Sequence, residues 1–152
     1  MDVKYINPFI EAFFNIMPHI GFNNVEKLGI EMVKDISSRG IIMNLGIVGD
    51  VKGNVAYITD IESAKKIASK MMMGAPVTEL DDMAQSAISE LSNMLTANAS
   101  TNLSNIGVNI NISTPALIYG EEIRIKMNTD KILNIKLSID GIPMDVNIAI
   151  EN

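Results

Sequence analysis

Glu90 and Asn93 are a carboxylate and a carboxamide three residues apart, in a stretch whose other residues predict a helix. At that spacing two side chains are neighbours on one helical surface. A carboxylate accepts charge-assisted hydrogen bonds. A carboxamide both donates and accepts, so it can orient a water or another polar group. Ser86 and Ala97 are small and lie one turn to either side, all four within roughly 60° of one another, so another protein could approach this face closely. The pair lacks the parts of a self-contained hydrolase. No Gly-x-Ser-x-Gly elbow, P-loop or dinucleotide fingerprint occurs. The chain has no cysteine and one histidine, His19, without spaced partners. No metal site of its own is therefore expected, and His19 reads as a helix-end side chain.

The element that must position the pair is a long helix, expected from Thr78 to about Ser104 with Asp81 three residues after Thr78 as an acidic capping box. Leu80, Met83, Ala84, Ala87, Ile88, Leu91, Met94 and Leu95 fall in a stripe roughly 140° wide, the expected core face. Asn98, Asn102 and Asn105 continue that stripe as polar residues. Either the helix leaves the core there, or these amides bond to strand backbone.

Around it, Ile6, Phe9, Ile10, Phe13, Phe14 and Met17 recur at helical spacing, with Pro8 in a first turn and Pro18 and Gly21 at the stop. Residues 25–36 fit a strand or a helix. Two strands, roughly 40–48 and 54–59, turn through Gly49–Gly53. A helix follows from an Asp60 cap to about Met73, where Met71, Met72 and Met73 are expected to close a core-packed end before Gly74-Ala75-Pro76. The last third alternates as strands at Val108, Ile110 and Ile112 and at Ile123, Ile125 and Met127. Its clearest hairpin joins Leu133, Ile135, Leu137 and Ile139 to Ile142, Met144, Val146, Ile148 and Ile150 through Asp140-Gly141, a favoured two-residue turn. The expected class is α+β: two helix-plus-three-strand halves forming a largely antiparallel sheet with helices packed on it, and a further helix between the halves.

Residues 1–152 suit a single domain. Hydrophobic residues make up 47% and charged residues 20% of the chain, an ordinary globular composition. No apolar run approaches the ~20 residues that span a bilayer, and the N-terminus lacks the pattern of a signal peptide, so a cytoplasmic protein without membrane contact is expected. Net charge is −6, and no basic patch is visible, so nucleic acid is not an expected partner.

The stretch from Leu80 to Met94, with Ser86, Glu90 and Asn93 in order, resembles the signature of the CheC/CheX/FliY family of chemotaxis phosphatases. That signature is Asp or Ser, three residues, Glu, two residues, Asn, and a proline about twenty-two residues later. Pro115 follows Asn93 with 21 residues between. Tyr5-Ile6-Asn7-Pro8-Phe9 and the glycine-punctuated stretch from Gly46 to Gly53 resemble the CheX branch, so the likeness covers nearly the whole chain. CheC-type members carry a second motif on the first helix. Here that helix offers Glu11 and Asn15, four apart and without the preceding small polar residue in register. Spacing by four still shares a face, but the resemblance to the CheX branch implies one active site per chain.

The resemblance implies a CheC-like fold and an enzyme that accelerates hydrolysis of the aspartyl phosphate on a phosphorylated CheY-like response regulator. Asn93 would hold the attacking water, and Glu90 would dock to the regulator's lysine. No cofactor is expected on this chain; the divalent metal, Mg2+, is expected on the partner. Pro115 is read as structural, stiffening a connection near the motif helix. A homodimer joined through sheet edges is implied as well. The alternative is a non-catalytic module that binds a response regulator or flagellar-switch component.

Overall fold

The computed structural model describes every residue except 1, 39, 128, 130 and 152. Helix α1, Val3–Ile20, begins at Asp2, whose carboxylate accepts from Lys4 N at 3.0 Å. It ends at Gly21, whose φ of 106° lets its N–H reach the Met17 and Pro18 carbonyls. Ile6, Phe9, Phe13 and Met17 are buried as their spacing predicts, but Phe14 is exposed. Pro8 lies beyond the first turn. Residues 25–36 resolve as strand, β1 (Val25–Val33) and β2 (Ile36–Ser38). The deciding contact is remote in sequence: β1 pairs with β8 (Ile132–Ile139) from Val25↔Ile139 to Val33↔Ile132, across a bulge between Lys27 and Gly29.

Strands β3 (Ile41–Gly49) and β4 (Lys52–Thr59) form the first hairpin. Helix α2, Ile61–Met71, starts where the Asp60 carboxylate accepts from Ser63 N at 2.7 Å. Met71 and Met72 are half-buried, whereas Met73 is 98% exposed with a φ of 60°, so the methionine run leaves the core instead of closing it. Helix α3 is Asp82–Ser104, and its cap is Asp81, not Thr78: the Asp81 carboxylate accepts from Ala84 N at 2.9 Å. Strands β5 (Ile110–Ile112), β6 (Ala116–Tyr119), β7 (Ile123–Ile125), β8 and β9 (Ile142–Glu151) complete the chain. Of these, β6 has no counterpart among the predicted strands.

The β8–β9 turn is as predicted. Asp140 and Gly141 have φ of 50° and 85°, the left-handed pair that a two-residue hairpin needs. The Asp140 carboxylate also accepts from Asn23 N and Asn24 N, at 3.1 and 2.7 Å, tying the turn to the start of β1.

The sheet runs β1-β8-β9-β4-β3-β5, with β6 also on β3, and each of these pairs is antiparallel. The two halves are exchanged. First-half β1 lies beside second-half β8, second-half β5 and β6 lie beside first-half β3, and β4 meets β9 at the centre. Each half also contributes one short strand, β2 and β7, to a separate two-stranded sheet. Among the described residues the halves hold four and five strands, of which three and four lie in the main sheet, where about three apiece are expected. All three helices bury their apolar faces on one side of the main sheet, over residues such as Met43, Leu45, Tyr57, Ile135 and Val146. On the other side a smaller cluster of Ile36, Ile42, Ala56, Ile132 and Ala149 packs with residues of β7. Among the described residues, no helix is long and apolar enough to cross a membrane.

Gly53 lies in the central β4–β9 pair with a φ of 157°, and a Cβ there would collide with the Ala149 carbonyl. Gly53→Ala should lower stability by about 2–4 kcal/mol, read as an earlier midpoint in urea unfolding.

Candidate functional site

Helix α3 is held at its start by the Asp81 cap and along its length by Ala84, Ile88, Leu91, Leu95, Ala99 and Leu103, all buried. The buried sector also includes Ser92 and Thr96, both 0% exposed. Of the expected core stripe, Leu80, Ala87 and Met94 are only half-buried and Met83 is 66% exposed. The helix is thus turned about its axis by roughly 80° from the hydrophobic prediction. The turn is possible because the buried hydroxyls find acceptors: Thr96 Oγ1 donates to Ser92 O at 2.7 Å and Ser92 Oγ to Ser89 O at 2.7 Å.

Glu90 and Asn93 fall on the opposite sector together, as their spacing predicts, with Glu90 exposed and Asn93 half-buried. Both line an open cleft of about 550 Å³. Asp82, Ser86, Glu90 and Asn93 stand on the α3 side, and Thr114, Pro115 and Leu117 stand across from them. Ala97, expected beside the pair, is exposed but does not line the cleft.

The second wall is a β-bulge. Ile112 opposes Ile47 and Ala116 opposes Asn44, so residues 113–115 face only Leu45 and Gly46. Ser113 fixes the base of the bulge, its N–H donating to Gly46 O at 3.0 Å and its Oγ accepting from Gly46 N at 2.7 Å. Pro115 has no N–H to leave unpaired there. It lies in a strand-to-strand connection beside the motif helix, where it was expected, and it also lines the cleft.

The cleft carries two carboxylates, Asp82 and Glu90, and none of its lining residues is Lys, Arg or His. Among the described residues, no group of three or more His, Cys, Asp or Glu gathers closely enough to hold a metal ion. The acidic cleft alone therefore suits a surface that brings its own positive charge. Sequence reasoning missed Asp82, Thr114 and Leu117. Asp82 lies four residues before Ser86 on the same face and was legible; Thr114 and Leu117 reach the cleft only through the bulge.

The other candidates do not converge on this site. Asn15 on α1 donates through Nδ2 to Asn98 Oδ1 at 3.1 Å. Asn102 Nδ2 donates to Pro8 O at 3.0 Å and reaches Asn98 Oδ1 at 3.2 Å. These amides bond to α1, an outcome that neither sequence reading anticipated, while Asn105 is the exposed C-cap of α3. Glu11 and His19 are exposed on α1 and line none of the described clefts. A larger cleft of about 850 Å³ beside α2 combines Lys65, Lys66 and Lys70 with Phe22 and Ile142. Its charges are largely occupied: Lys65 pairs with Glu62 at 3.0 Å, and Lys70 lies over the Phe22 ring.

Residues 41–138 match the family model for chemotaxis phosphatase CheX. The CheY-P phosphatase CheX of Thermotoga maritima is 28% identical over 147 residues, covering 91% of this chain and 90% of the relative. The CheX of a crystallised CheX–CheY–BeF3–Mg2+ complex from Borrelia burgdorferi superposes with a TM-score of 0.82 at 30% identity, covering 97% of this chain and 98% of the other. A CheC-like superfamily protein from a Shewanella species superposes with a TM-score of 0.88 at 23% identity over 100% of both chains, a likeness of fold.

Because Glu90 and Asn93 make no side-chain hydrogen bond within the described residues, replacing either by Ala should change unfolding free energy by no more than about 0.5 kcal/mol. Asp81→Ala, which removes a cap, should cost about 1 kcal/mol. Thermal melts of the three variants compare these directly.

Proposed function

The chain belongs to the chemotaxis phosphatase CheX family, and from that premise we propose that it hydrolyses the aspartyl phosphate of a CheY-like response regulator through Asn93 and Glu90. The observation that carries this reading is the company the pair keeps: an open acidic cleft lined by no basic side chain, with no group of three or more candidate metal ligands among the described residues. Such a cleft brings no positive charge to a phosphoryl group, so in this reading the cation and the metal come with the partner. The beryllofluoride and Mg2+ of the Borrelia complex are what a phosphoryl group and its metal would correspond to in this reaction.

Phosphoryl transfer depends mostly on positioning and charge stabilisation. The Asn93 carboxamide, on a rigid helix, enters the regulator's site and holds a water in line with phosphorus, its carbonyl oxygen accepting a hydrogen bond from one water O–H and its NH2 donating one to the water oxygen. The water oxygen bonds to phosphorus, the acyl P–O bond breaks, and the regulator's aspartate leaves as a carboxylate with inorganic phosphate. Glu90 accepts from the regulator's lysine and sets how far Asn93 reaches. Residues 1–152 act as one domain in this reading. Two copies pair through β1, the sheet edge, whose Leu28, Ile30 and Met32 are 62%, 46% and 55% exposed.

With a phosphorylated CheY-like regulator, Asn93→Ala should reduce accelerated phosphate release by about 100-fold. Retained release in that variant would sink the assignment, and no release by the wild-type chain would favour a binding module. Glu90→Ala should raise KM, and added salt should raise KM less in that variant than in the wild type. For the dimer, Ile30→Lys should give monomers in sedimentation with the circular dichroism of the fold unchanged.

A further inference from the structure

Tyr57 of β4 is buried in the hydrophobic layer, packed on Phe13 of α1 with ring centroids 5.9 Å apart, and its hydroxyl lies 2.8 Å from Thr96 Oγ1 of α3. Thr96 in turn bonds to Ser92 O, and Ser92 Oγ to Ser89 O. Each hydroxyl carries one proton, which fixes the direction of the chain. Thr96 spends its proton on Ser92 O, so Tyr57 must be the donor to Thr96. Burial pushes the Tyr57 hydroxyl far above the ordinary phenol range, so this donor keeps its proton.

The last acceptor in the series is Ser89 O. In an α-helix that carbonyl also takes the N–H of the residue four positions on, which is Asn93. The Ser92 carbonyl that Thr96 engages belongs to the same peptide group as the Asn93 N–H, so Tyr57 and Thr96 link the centre of the sheet to the peptide that carries Asn93, and the Ser92 hydroxyl adds a separate bond to Ser89 O. These bonds pass beneath Ser89 and Ser92, the immediate neighbours of Glu90 and Asn93. Hydroxyls that bond back to helix carbonyls shift local helix geometry. A tyrosine donor in the sheet also fixes the rotation of α3 in a way that apolar packing, which has no direction, does not.

We propose that Tyr57 and Thr96 are positioning residues for the reaction, setting through Ser92 and Ser89 the orientation in which α3 presents Asn93. The proposal rests on the reading of Asn93 as the residue that holds the attacking water. Neither Tyr57 nor Thr96 lines the cleft, so they act on chemistry only through the helix.

The test is phosphate release from a phosphorylated CheY-like regulator by the full chain. Tyr57→Phe should lower kcat by about ten-fold with KM within about two-fold of wild type, since misplacement penalises the reacting geometry more than docking. Thr96→Ser, which keeps the hydroxyl, should stay within about two-fold of wild-type kcat. Ile139→Val, buried at the far end of β8, serves as a control for simple loss of core packing and should leave kcat unchanged. Full kcat in Tyr57→Phe, or an equal loss in Ile139→Val, overturns the proposal. Asn93→Ala run alongside separates the two readings: wild-type turnover there means that the role of Asn93 has failed. Positioning is then still decided by the Asn93 backbone amide, which in Tyr57→Phe should shift its resonance and exchange faster with solvent. An unmoved resonance with unchanged exchange overturns it without reference to activity.

Discussion

The antiparallel pairing of β4 with β9, from Lys52↔Glu151 to Ile58↔Asp145, is the contact on which the other elements depend. It joins two halves that have also exchanged their outer strands, so neither half has a complete sheet by itself. β1 needs β8, and β5 and β6 need β3. The close approach at Gly53, where the backbone of β9 fills the space of a side chain, shows how tightly this seam is drawn. Both walls of the cleft derive from it. Tyr57, the anchor of α3, is on β4, and the bulge of residues 113–115 hangs on β3, the hairpin partner of β4.

Helix α3 is an uneven amphipath. Its buried face carries two hydroxyl residues among alanines, leucines and an isoleucine, and each hydroxyl has a partner at hydrogen-bond distance. Burying a polar group without a partner is costly, whereas a satisfied one constrains orientation. The asparagines farther along α3 act in a similar way on another neighbour, with Asn98 and Asn102 meeting Asn15 and the Pro8 carbonyl of α1. The site helix is thus fixed by directional contacts to the sheet on one side and to α1 on the other. That rigidity suits the water-positioning role proposed for Asn93. On the opposite face, Glu90 and Asn93 make no side-chain hydrogen bond among the described residues, which leaves both free to bond to another molecule.

The electrostatics of the cleft agree with this division of labour. Two carboxylates and no cation line it, on a chain whose net charge is −6. A site that had to stabilise a phosphoryl group alone would need positive charge or a metal. One that docks onto a cation-bearing site needs the reverse.

Short-range physics made much of the molecule legible before folding was considered. The i,i+3 spacing of Glu90 and Asn93, the Asp60 cap, the alternation of β8 and β9 and the Asp140-Gly141 turn are set by residues within one or two turns of each other. What the sequence could not decide depends on contacts between distant segments. Residues 25–33 became strand because β8 was there to pair with them. Met83 went outward and Ser92 and Thr96 inward because a tyrosine 39 residues away in sequence bonds to Thr96. Asn102 turned to a carbonyl 94 residues away. Thr114 and Pro115 reached the site because β5 and β6 meet β3 out of step. Local spacing settles which two side chains share a face of α3. Which way that face points and what stands opposite come from long-range packing, because the rotation of a helix and the place of a bulge are fixed by partners that local spacing does not encode.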